Sequence, residues 1–149
     1  MIQLQENILT PQEFCVLTNS AGWDLAPPEQ VALALKNSML TVTAVYDGKT
    51  VGMGRLCGDG ALWYFLKDIV VLPEYQGKGV GRAIVQLLLE RAQQRTPEGW
   101  KIKVELMSAQ GKEPFYHKLG FEARTREPYG AGMTCCLYGK AAPADSSPD

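Results

Sequence analysis

The residues best suited to chemistry are ten consecutive positions, Pro73 to Arg82, with the sequence Pro-Glu-Tyr-Gln-Gly-Lys-Gly-Val-Gly-Arg. An apolar run precedes them and an amphipathic helical pattern follows, which predicts a loop at a helix N-terminus. Glycine has no Cβ atom to keep a phosphate from the main-chain N–H groups, and those groups carry a fixed partial positive charge at a helix N-terminus. The spacing therefore predicts a site for the diphosphate of a phosphorylated cofactor.

Two common nucleotide-binding loops do not fit these positions. A Walker P-loop requires Gly-x-x-x-x-Gly-Lys-Ser/Thr, and the chain has no such run. The dinucleotide fingerprint Gly-x-Gly-x-x-Gly fails because Arg82 stands where Gly77 and Gly79 would require the third glycine. The pattern that does match is Gln-x-x-Gly-x-Gly, formed by Gln76, Gly79 and Gly81.

The totals limit the other possibilities. The 149 residues carry a net charge of -1, which argues against a general nucleic-acid binder, because such proteins usually present a basic face. Four cysteines without a Cys-x-x-Cys pair and a single histidine predict no metal site. The chain opens with no signal-peptide pattern and has no apolar run of membrane-spanning length, so we expect a cytoplasmic protein that does not enter a membrane.

Helix and strand patterns surround the loop. Thr10 and Glu13 have the spacing of a capping box that starts one helix, and Pro28 opens a second. The remaining elements are predicted as strands at Ile2–Leu4, Leu40–Tyr46, Val51–Leu56, Ala61–Leu72, Lys101–Met107, Phe121–Thr125 and Met133–Tyr138, and as helices at Gly81–Gln94 and Pro114–Leu119.

This order of elements predicts a mixed α/β fold in one domain, residues 1–140. The expected sheet is twisted and mostly antiparallel, with helices on both faces. The strand ending at Leu72, the helix from Gly81 and the strand from Lys101 form one parallel crossover beside the loop. The segment Ala141–Asp149 is small, polar and proline-bearing, which is typical of a disordered tail.

A second motif is the run Phe-Tyr-His-Lys-Leu-Gly-Phe at Phe115–Phe121. Together with the Gln-x-x-Gly-x-Gly loop and the strand that ends at Pro73, it resembles the GNAT superfamily of N-acetyltransferases. The loop is similar to the family's acetyl-CoA pyrophosphate loop, and the run to its Phe/Leu-Tyr-x-x-x-Gly-Phe signature. The resemblance covers roughly residues 39–138 and is nearest to small arylalkylamine-type enzymes and their uncharacterised bacterial relatives.

The resemblance implies a GNAT-like sandwich and acetyl-CoA as the cofactor. In the family the fourth strand separates from its neighbour, and its free main-chain groups hold the pantetheine arm and the thioester. Ile69 and Val71 match those positions, with the Val71 N–H polarising the acetyl carbonyl. The cofactor-binding residues implied in this way are Ile69, Val70, Val71, Gln76, Gly77, Lys78, Gly79, Val80, Gly81, Arg82 and Ser108. Ser108 stands where many relatives carry an asparagine that binds the pantetheine arm.

Two residues are implied as catalytic. Tyr116 matches the family's proton donor to the departing thiolate, a role that suits a phenol with a pKa of about 10. The alternative is a tyrosine that packs a short helix against the sheet. Asp68 matches an acid that orients the amine or removes its proton through water. The alternatives are a partly exposed strand residue and a partner for Lys67 or Arg55. His117 is expected at the surface.

The implied function is transfer of acetyl from acetyl-CoA to a primary amine of a small molecule, by direct attack in a ternary complex. Trp23, Tyr64 and Tyr129 are candidates for lining the acceptor pocket, and packing in the core is the alternative for each. A protein N-terminal or lysine acetyltransferase, a non-catalytic acyl-CoA sensor and a nucleotide-binding module stay open as functions. A homodimer stays open as the assembly.

Overall fold

A five-stranded sheet organises the chain. The structure, a computed structural model, describes residues 1–125 and 127–141. Its strands are β1 (Gln3–Glu6), β2 (Leu40–Tyr46), β3 (Lys49–Gly58), β4 (Trp63–Val71) and β5 (Lys103–Glu105). Its helices are α1 (Pro11–Ser20), α2 (Pro28–Lys36), α3 (Val80–Gln94) and α4 (Glu113–His117), with a 3-10 turn at Pro73–Tyr75. Within the two described ranges, no helix is both long enough and apolar enough to cross a bilayer.

The strands lie side by side in chain order, from β1 to β5. The first three pairings are antiparallel, whereas β4 and β5 run parallel and are joined through α3. A parallel connection needs a crossover, and here the helix of the crossover begins directly after the glycine-rich loop. The predicted mixed fold with one parallel crossover is confirmed.

Local signals account for the start of α1 and for the turn between β2 and β3. The Glu13 N–H donates to the Thr10 hydroxyl at 3.2 Å, and the Thr10 N–H donates to the Glu13 carboxylate at 2.9 Å. These are the two hydrogen bonds of a capping box. Asp47 and Gly48 have φ of 47° and 75°, as a two-residue hairpin turn requires. Both features were predictable from residue type.

Successive residues of β3 show which helices cover each face of the sheet. A Cβ on Gly54 would lie 2.8 Å from Ile84 Cγ2 and 3.0 Å from Leu88 Cδ1, so glycine is needed where α3 packs on the strand. The next residue, Arg55, points to the other face and contacts α1 and α2. The sheet is therefore covered on both sides.

The predicted strands at Phe121–Thr125 and Met133–Tyr138 were wrong for the described part of the chain, which has no strand after β5. Instead Met133, Leu137 and Tyr138 are 88%, 91% and 84% exposed. Strand propensity measures how well a residue fits a half-buried pleated surface, and here no neighbouring strand supplies that surface.

Several other element boundaries also differ from the prediction, most of all that of the fifth strand. The fifth strand was expected over Lys101–Met107, but its pairing with β4 limits it to Lys103–Glu105. The predicted disordered tail, Ala141–Asp149, lies from position 142 onward outside the described residues.

Candidate active site

The pairing of β4 with β5 stops partway along β4. It runs from Trp63 with Lys103 to Phe65 with Glu105. From Leu66 to Val71, no residue in the described ranges forms a strand pairing with that edge of β4. The open part of β4 therefore presents main-chain groups to a gap, as the resemblance implied.

Val71 directs its main-chain groups toward this gap. The Leu72 N–H donates to the Val51 carbonyl of β3 at 2.8 Å. Because successive residues of a strand point their N–H and C=O groups to alternate edges, those of Val71 face the open edge. There the Val71 carbonyl accepts a hydrogen bond from the side-chain amide of Gln76 at 2.9 Å. Gln76 thus ties the start of the loop to the strand, and the Val71 N–H shares the same edge.

The glycine loop, Gln76–Arg82, presents main-chain N–H groups ahead of α3. Gly77 and Gly79 have φ of 74° and 82°, and a Cβ on either would meet no atom within 4 Å. Glycine is therefore needed there for backbone conformation rather than for internal space. The first hydrogen bond of α3 runs from the Ala83 N–H to the Gly79 carbonyl at 3.0 Å, so the three intervening N–H groups have no partner within the helix. The partial positive charge of these groups suits the diphosphate of a cofactor.

The side chains around the loop add little fixed structure. Arg82 is exposed, and Lys78 Nζ lies 5.6 Å from the centre of the Tyr75 ring. Ser108 is half-buried, and its hydroxyl donates to the Ala109 carbonyl at 2.8 Å. An incoming pantetheine arm would have to compete with that bond to use Ser108.

Three segments that are distant in sequence meet at Gly81. A Cβ on Gly81 would lie 3.5 Å from Phe115 Cζ and 3.6 Å from Val71 Cγ2. The end of β4, the first turn of α3 and the helix α4 are therefore within van der Waals reach of one point. Tyr116 follows Phe115 in α4 and packs on it, so it belongs to the same region.

Tyr116 is held by aromatic neighbours. Its ring meets those of Phe115 and Phe121 edge to face, with centroids 4.9 Å and 5.9 Å away. Burial raises the pKa of Tyr116 above its ordinary value of 10.0, so the hydroxyl stays protonated at neutral pH. A fixed phenol that keeps its proton is suited to proton donation.

Gly120 and His117 close the turn after α4. Gly120 has φ of 94°, which lets the Phe121 N–H return to the Tyr116 carbonyl at 3.1 Å. His117 is exposed, and its Nδ1 donates to the Phe121 carbonyl at 3.0 Å. The glycine and phenylalanine of the motif thus brace Tyr116, and His117 lies at the surface as expected.

Asp68 lies at a bulge in β4 and is paired with Arg55. Met53 pairs with Val70, and Arg55 with Lys67, so β4 carries one residue more than β3 over this stretch. Asp68 has φ of 54°, and its Oδ2 accepts a hydrogen bond from Arg55 Nε at 2.6 Å. The pairing with Arg55 was one alternative to a catalytic role, yet Asp68 also belongs to the part of β4 that is not paired with β5.

Sequence reasoning missed how far the contacts of Arg55 extend. Its guanidinium also donates to Ser38 Oγ at 3.0 Å and lies 5.9 Å from the centre of the Phe14 ring. The available signal was a charged residue inside the apolar and glycine-rich run of residues 51–58 of β3. That signal indicates a partner without identifying which helices supply it.

The three aromatic candidates for the acceptor pocket lie in different surroundings. Tyr64 is 1% exposed and belongs to the core, the alternative given for it above. Trp23 and Tyr129 are 39% and 43% exposed. The Tyr129 ring lies 4.9 Å from the Arg124 guanidinium and lines a groove of about 490 Å³ beside β5.

Comparison with known proteins gives a consistent family. Residues 12–140 match the model of the acetyltransferase (GNAT) domain. The chain is 31% identical over 127 residues to GCN5-related N-acetyltransferase 2, chloroplastic, of Arabidopsis thaliana, which covers 72% of this chain and 48% of that protein. It is 30% identical over 118 residues to histone acetyltransferase TAP1 of Glycine max, which covers 72% of this chain and 49% of that protein. The chain thus spans about half the length of these curated relatives.

A solved structure agrees with the family model. A probable acetyltransferase of Staphylococcus aureus superposes with a TM-score of 0.82 at 29% identity, covering 92% of this chain and 100% of that one. Because the family model spans most of the chain, the prediction of a GNAT acetyltransferase domain is confirmed. The chain belongs to the GNAT acetyltransferase family.

Proposed function

We propose that this chain is an acetyl-CoA-dependent N-acetyltransferase that acts on the primary amine of a small molecule, by direct attack in a ternary complex. The observation that carries the proposal is the meeting of Val71, Gly81 and Phe115 beside Tyr116. It brings together an open main-chain edge, a helix N-terminus and a protonated phenol. Acetyl transfer uses these as oxyanion donor, diphosphate site and acid.

The main chain is suited to hold the cofactor. Acetyl-CoA, when bound, supplies an acetyl group activated as a thioester. The N–H groups of the glycine loop match its diphosphate through their partial positive charge. The Val71 N–H matches the acetyl carbonyl as a donor that the strand already orients. Lys78 and Arg82 add positive charge from exposed positions.

Side chains are suited to move the protons. A lysine-like alkylamine is mostly protonated at neutral pH, and its deprotonation costs about 4–5 kcal/mol. Asp68, held through Oδ2 by Arg55, is the group we propose to orient the amine and take its proton through water. Tyr116 holds a proton at its hydroxyl oxygen for the departing thiolate.

Release of CoA-SH tests the proposal directly. The purified chain is incubated with acetyl-CoA and a panel of arylalkylamines, polyamines and amino sugars, each matched with its N-acetylated form as a control. Turnover of an amine but not of its N-acetylated form supports the proposal. Calorimetric binding of acetyl-CoA without turnover of any acceptor favours an acyl-CoA sensor, and absence of binding ends both readings.

A protein amine is the second candidate acceptor. The observation in its favour is the relative from Glycine max, 30% identical, whose name is histone acetyltransferase TAP1. Histone-tail and N-terminal peptides therefore belong in the same panel, with lysine-acetylated or N-acetylated peptides as controls. A higher kcat/KM for a peptide than for every small amine would replace the small-molecule acceptor with a protein.

We also propose a homodimer. Its support is the exposure of Met133, Leu137 and Tyr138 in one short segment, because clustered exposed apolar side chains often mark an interface. Sedimentation over a range of concentrations checks this, and a monomer throughout contradicts it. The cytoplasmic location stays part of the proposal, and fractionation of cells that express the chain checks it.

A further inference from the structure

Arg55 joins four parts of the fold on the face of the sheet opposite α3. From β3, its Nε donates to Asp68 Oδ2 of β4 at 2.6 Å. Its Nη1 donates to Ser38 Oγ at 3.0 Å and to the Ala34 carbonyl at 3.4 Å, at the end of α2. Its guanidinium lies 5.9 Å from the centre of the Phe14 ring of α1. We call these five residues the arginine cluster.

The charged pair in the cluster is largely withdrawn from water. The side chains of Arg55 and Asp68 are 16% and 21% exposed. Arg91 and Glu6 form a pair of the same 2.6 Å length elsewhere, but both of those side chains are 35% exposed. A charge pair away from water is screened less, and removal of one partner leaves the other charge uncompensated. The position of Asp68 therefore depends on Arg55 more than an ordinary surface pair depends on its partner.

The backbone makes Asp68 sensitive to that partner. Its φ of 54° lies in the left-handed region, which aspartate and asparagine tolerate better than most residues. The extra residue of β4 turns its side chain to the face where Arg55 lies. Ile69 follows directly and belongs to the open part of β4. A displaced Asp68 would thus change the distance between its carboxylate and that edge.

We propose that Arg55 is a positioning residue for acetyl transfer, an inference that rests on the function proposed above. Arg55 fixes the Asp68 carboxylate through Oδ2 and leaves Oδ1 for the amine of the acceptor. The same guanidinium also holds the end of α2 through Ser38 and Ala34. A cationic primary amine is the acceptor chemistry that a carboxylate held in this way favours.

The test compares Arg55→Met, Arg55→Lys, Asp68→Asn and the double variant Arg55→Met with Asp68→Asn. Asparagine tolerates the left-handed backbone, so Asp68→Asn removes the charge and keeps the bulge. We expect Arg55→Met to lower kcat/KM for the amine on the order of 10–100-fold, with the Kd for acetyl-CoA changed less than about twofold. Arg55→Lys should restore part of the loss. The double variant should be no slower than the slower single variant, because both changes break one unit.

Arg91→Met is the matched control. It removes an arginine from a pair of the same length with Glu6, on the surface between α3 and β1. We expect its kcat/KM for the amine and its acetyl-CoA Kd to equal those of the unaltered chain. An equal loss in Arg91→Met and Arg55→Met would overturn the proposal, because any lost charge pair would then have the same effect.

Two further outcomes also decide against it. A normal kcat/KM in Arg55→Met, with only the melting temperature lowered, would make the cluster purely structural. Strictly additive losses in the double variant would separate Arg55 from Asp68. If Arg55→Met does not fold, Ser38→Ala carries the test, since it removes one acceptor of the guanidinium. A smaller kcat/KM loss there supports the proposal, and an unchanged kcat/KM overturns it.

Hydrogen exchange separates this inference from the proposed function. If the unaltered chain turns over no amine, the proposed function fails. Amide exchange at residues 34–38 and at Asp68 then still tests whether Arg55 holds these residues in place. Faster exchange there in Arg55→Lys than in Arg91→Met supports this positioning by Arg55, and equal exchange overturns it.

Discussion

At the end of β4 the glycine loop offers main-chain N–H groups, whereas on the α1 and α2 face of the same strand the arginine cluster offers side chains. The loop consists of consecutive residues, and Gly77 and Gly79 set its conformation. The cluster collects its members from β3, β4, α1 and the end of α2. One strand thus carries a site built from backbone and a site built from tertiary contacts.

This difference suits two different ligands. A coenzyme is the same in every turnover, so a site of main-chain groups serves it whatever the surrounding side chains are. An acceptor differs from one enzyme to another, and side chains contributed by several elements can vary independently. Variants of the loop should therefore change coenzyme affinity, and variants beside the open edge should change turnover.

The largest expected effect is at Tyr116, which packs on Phe115 beside the start of α3. Tyr116→Phe should lower kcat about 10²-fold, because the ring keeps its packing and only the donated proton is lost. Steady-state kinetics and calorimetry together should show the acetyl-CoA Kd unchanged. His117→Gln is the control, since its side chain is exposed and bonded to the Phe121 carbonyl. An unchanged kcat in Tyr116→Phe removes the assignment of the acid.

The next effect tests the loop as a backbone site. Gly79→Ala forces an alanine to φ of 82°, which costs about 1–2 kcal/mol and should weaken acetyl-CoA binding about tenfold. Gly99→Ala is the matched control, because Gly99 also has φ of 82° and open space around its Cβ position. Calorimetric Kd values for both variants check the prediction. Equal weakening in the two variants would mean that strain anywhere in the fold lowers affinity.

A smaller effect is expected at the first helix of the cluster face. Glu13→Ala removes the capping box of α1 and the bond from Thr50, so the free energy of unfolding should fall by about 1 kcal/mol while the acetyl-CoA Kd stays constant. Burial raises the pKa of Glu13, but bonds from Thr10 and Thr50 outweigh it and hold the pKa below 4.5. A carboxylate whose pKa is lowered by folding stabilises the folded state at pH values above its ordinary pKa. That stability is lost as the pH falls through the lowered pKa.

Urea unfolding at neutral and acidic pH checks the Glu13 prediction. The difference in free energy of unfolding between Glu13→Ala and the unaltered chain should become smaller as the pH falls below 4.5. Glu29→Ala is the control, since Glu29 also lies in the first turn of its helix but α2 has no side-chain cap. A difference that stays constant across the pH range would mean that the charge of the Glu13 carboxylate does not contribute this stability.

The smallest effect is an expected absence of change with pH. Burial raises the pKa of Tyr116 above 10.0, so kcat should show no loss from this group until the pH exceeds that value. The raised pKa of Tyr116 also means that this residue lowers the free energy of unfolding only as the pH rises above 10.0. A pH–rate profile at saturating substrate measures this. A basic limb centred below about pH 9 that disappears in Tyr116→Phe contradicts the role.

The conformation of the glycine loop was predictable because its determinants are local. The spacing of Gln76, Gly79 and Gly81 predicted a helix N-terminus with free N–H groups, and the structure has that arrangement. The capping box at Thr10 and the hairpin turn at Asp47 were predictable for the same reason. In each case the residue type itself restricts the backbone or satisfies a neighbouring main-chain group.

The sequence by itself thus determined the order of elements as far as α4, the crossover and the glycine loop. Only the tertiary structure decided that Arg55 joins Asp68 to α1 and α2, and that Met133–Tyr138 stays exposed. The partners of a side chain that are distant in sequence are set by the folded chain, and a strand needs a neighbouring strand to pair with its main-chain groups. Neither condition is contained in the residues themselves, because both depend on what the fold brings alongside them.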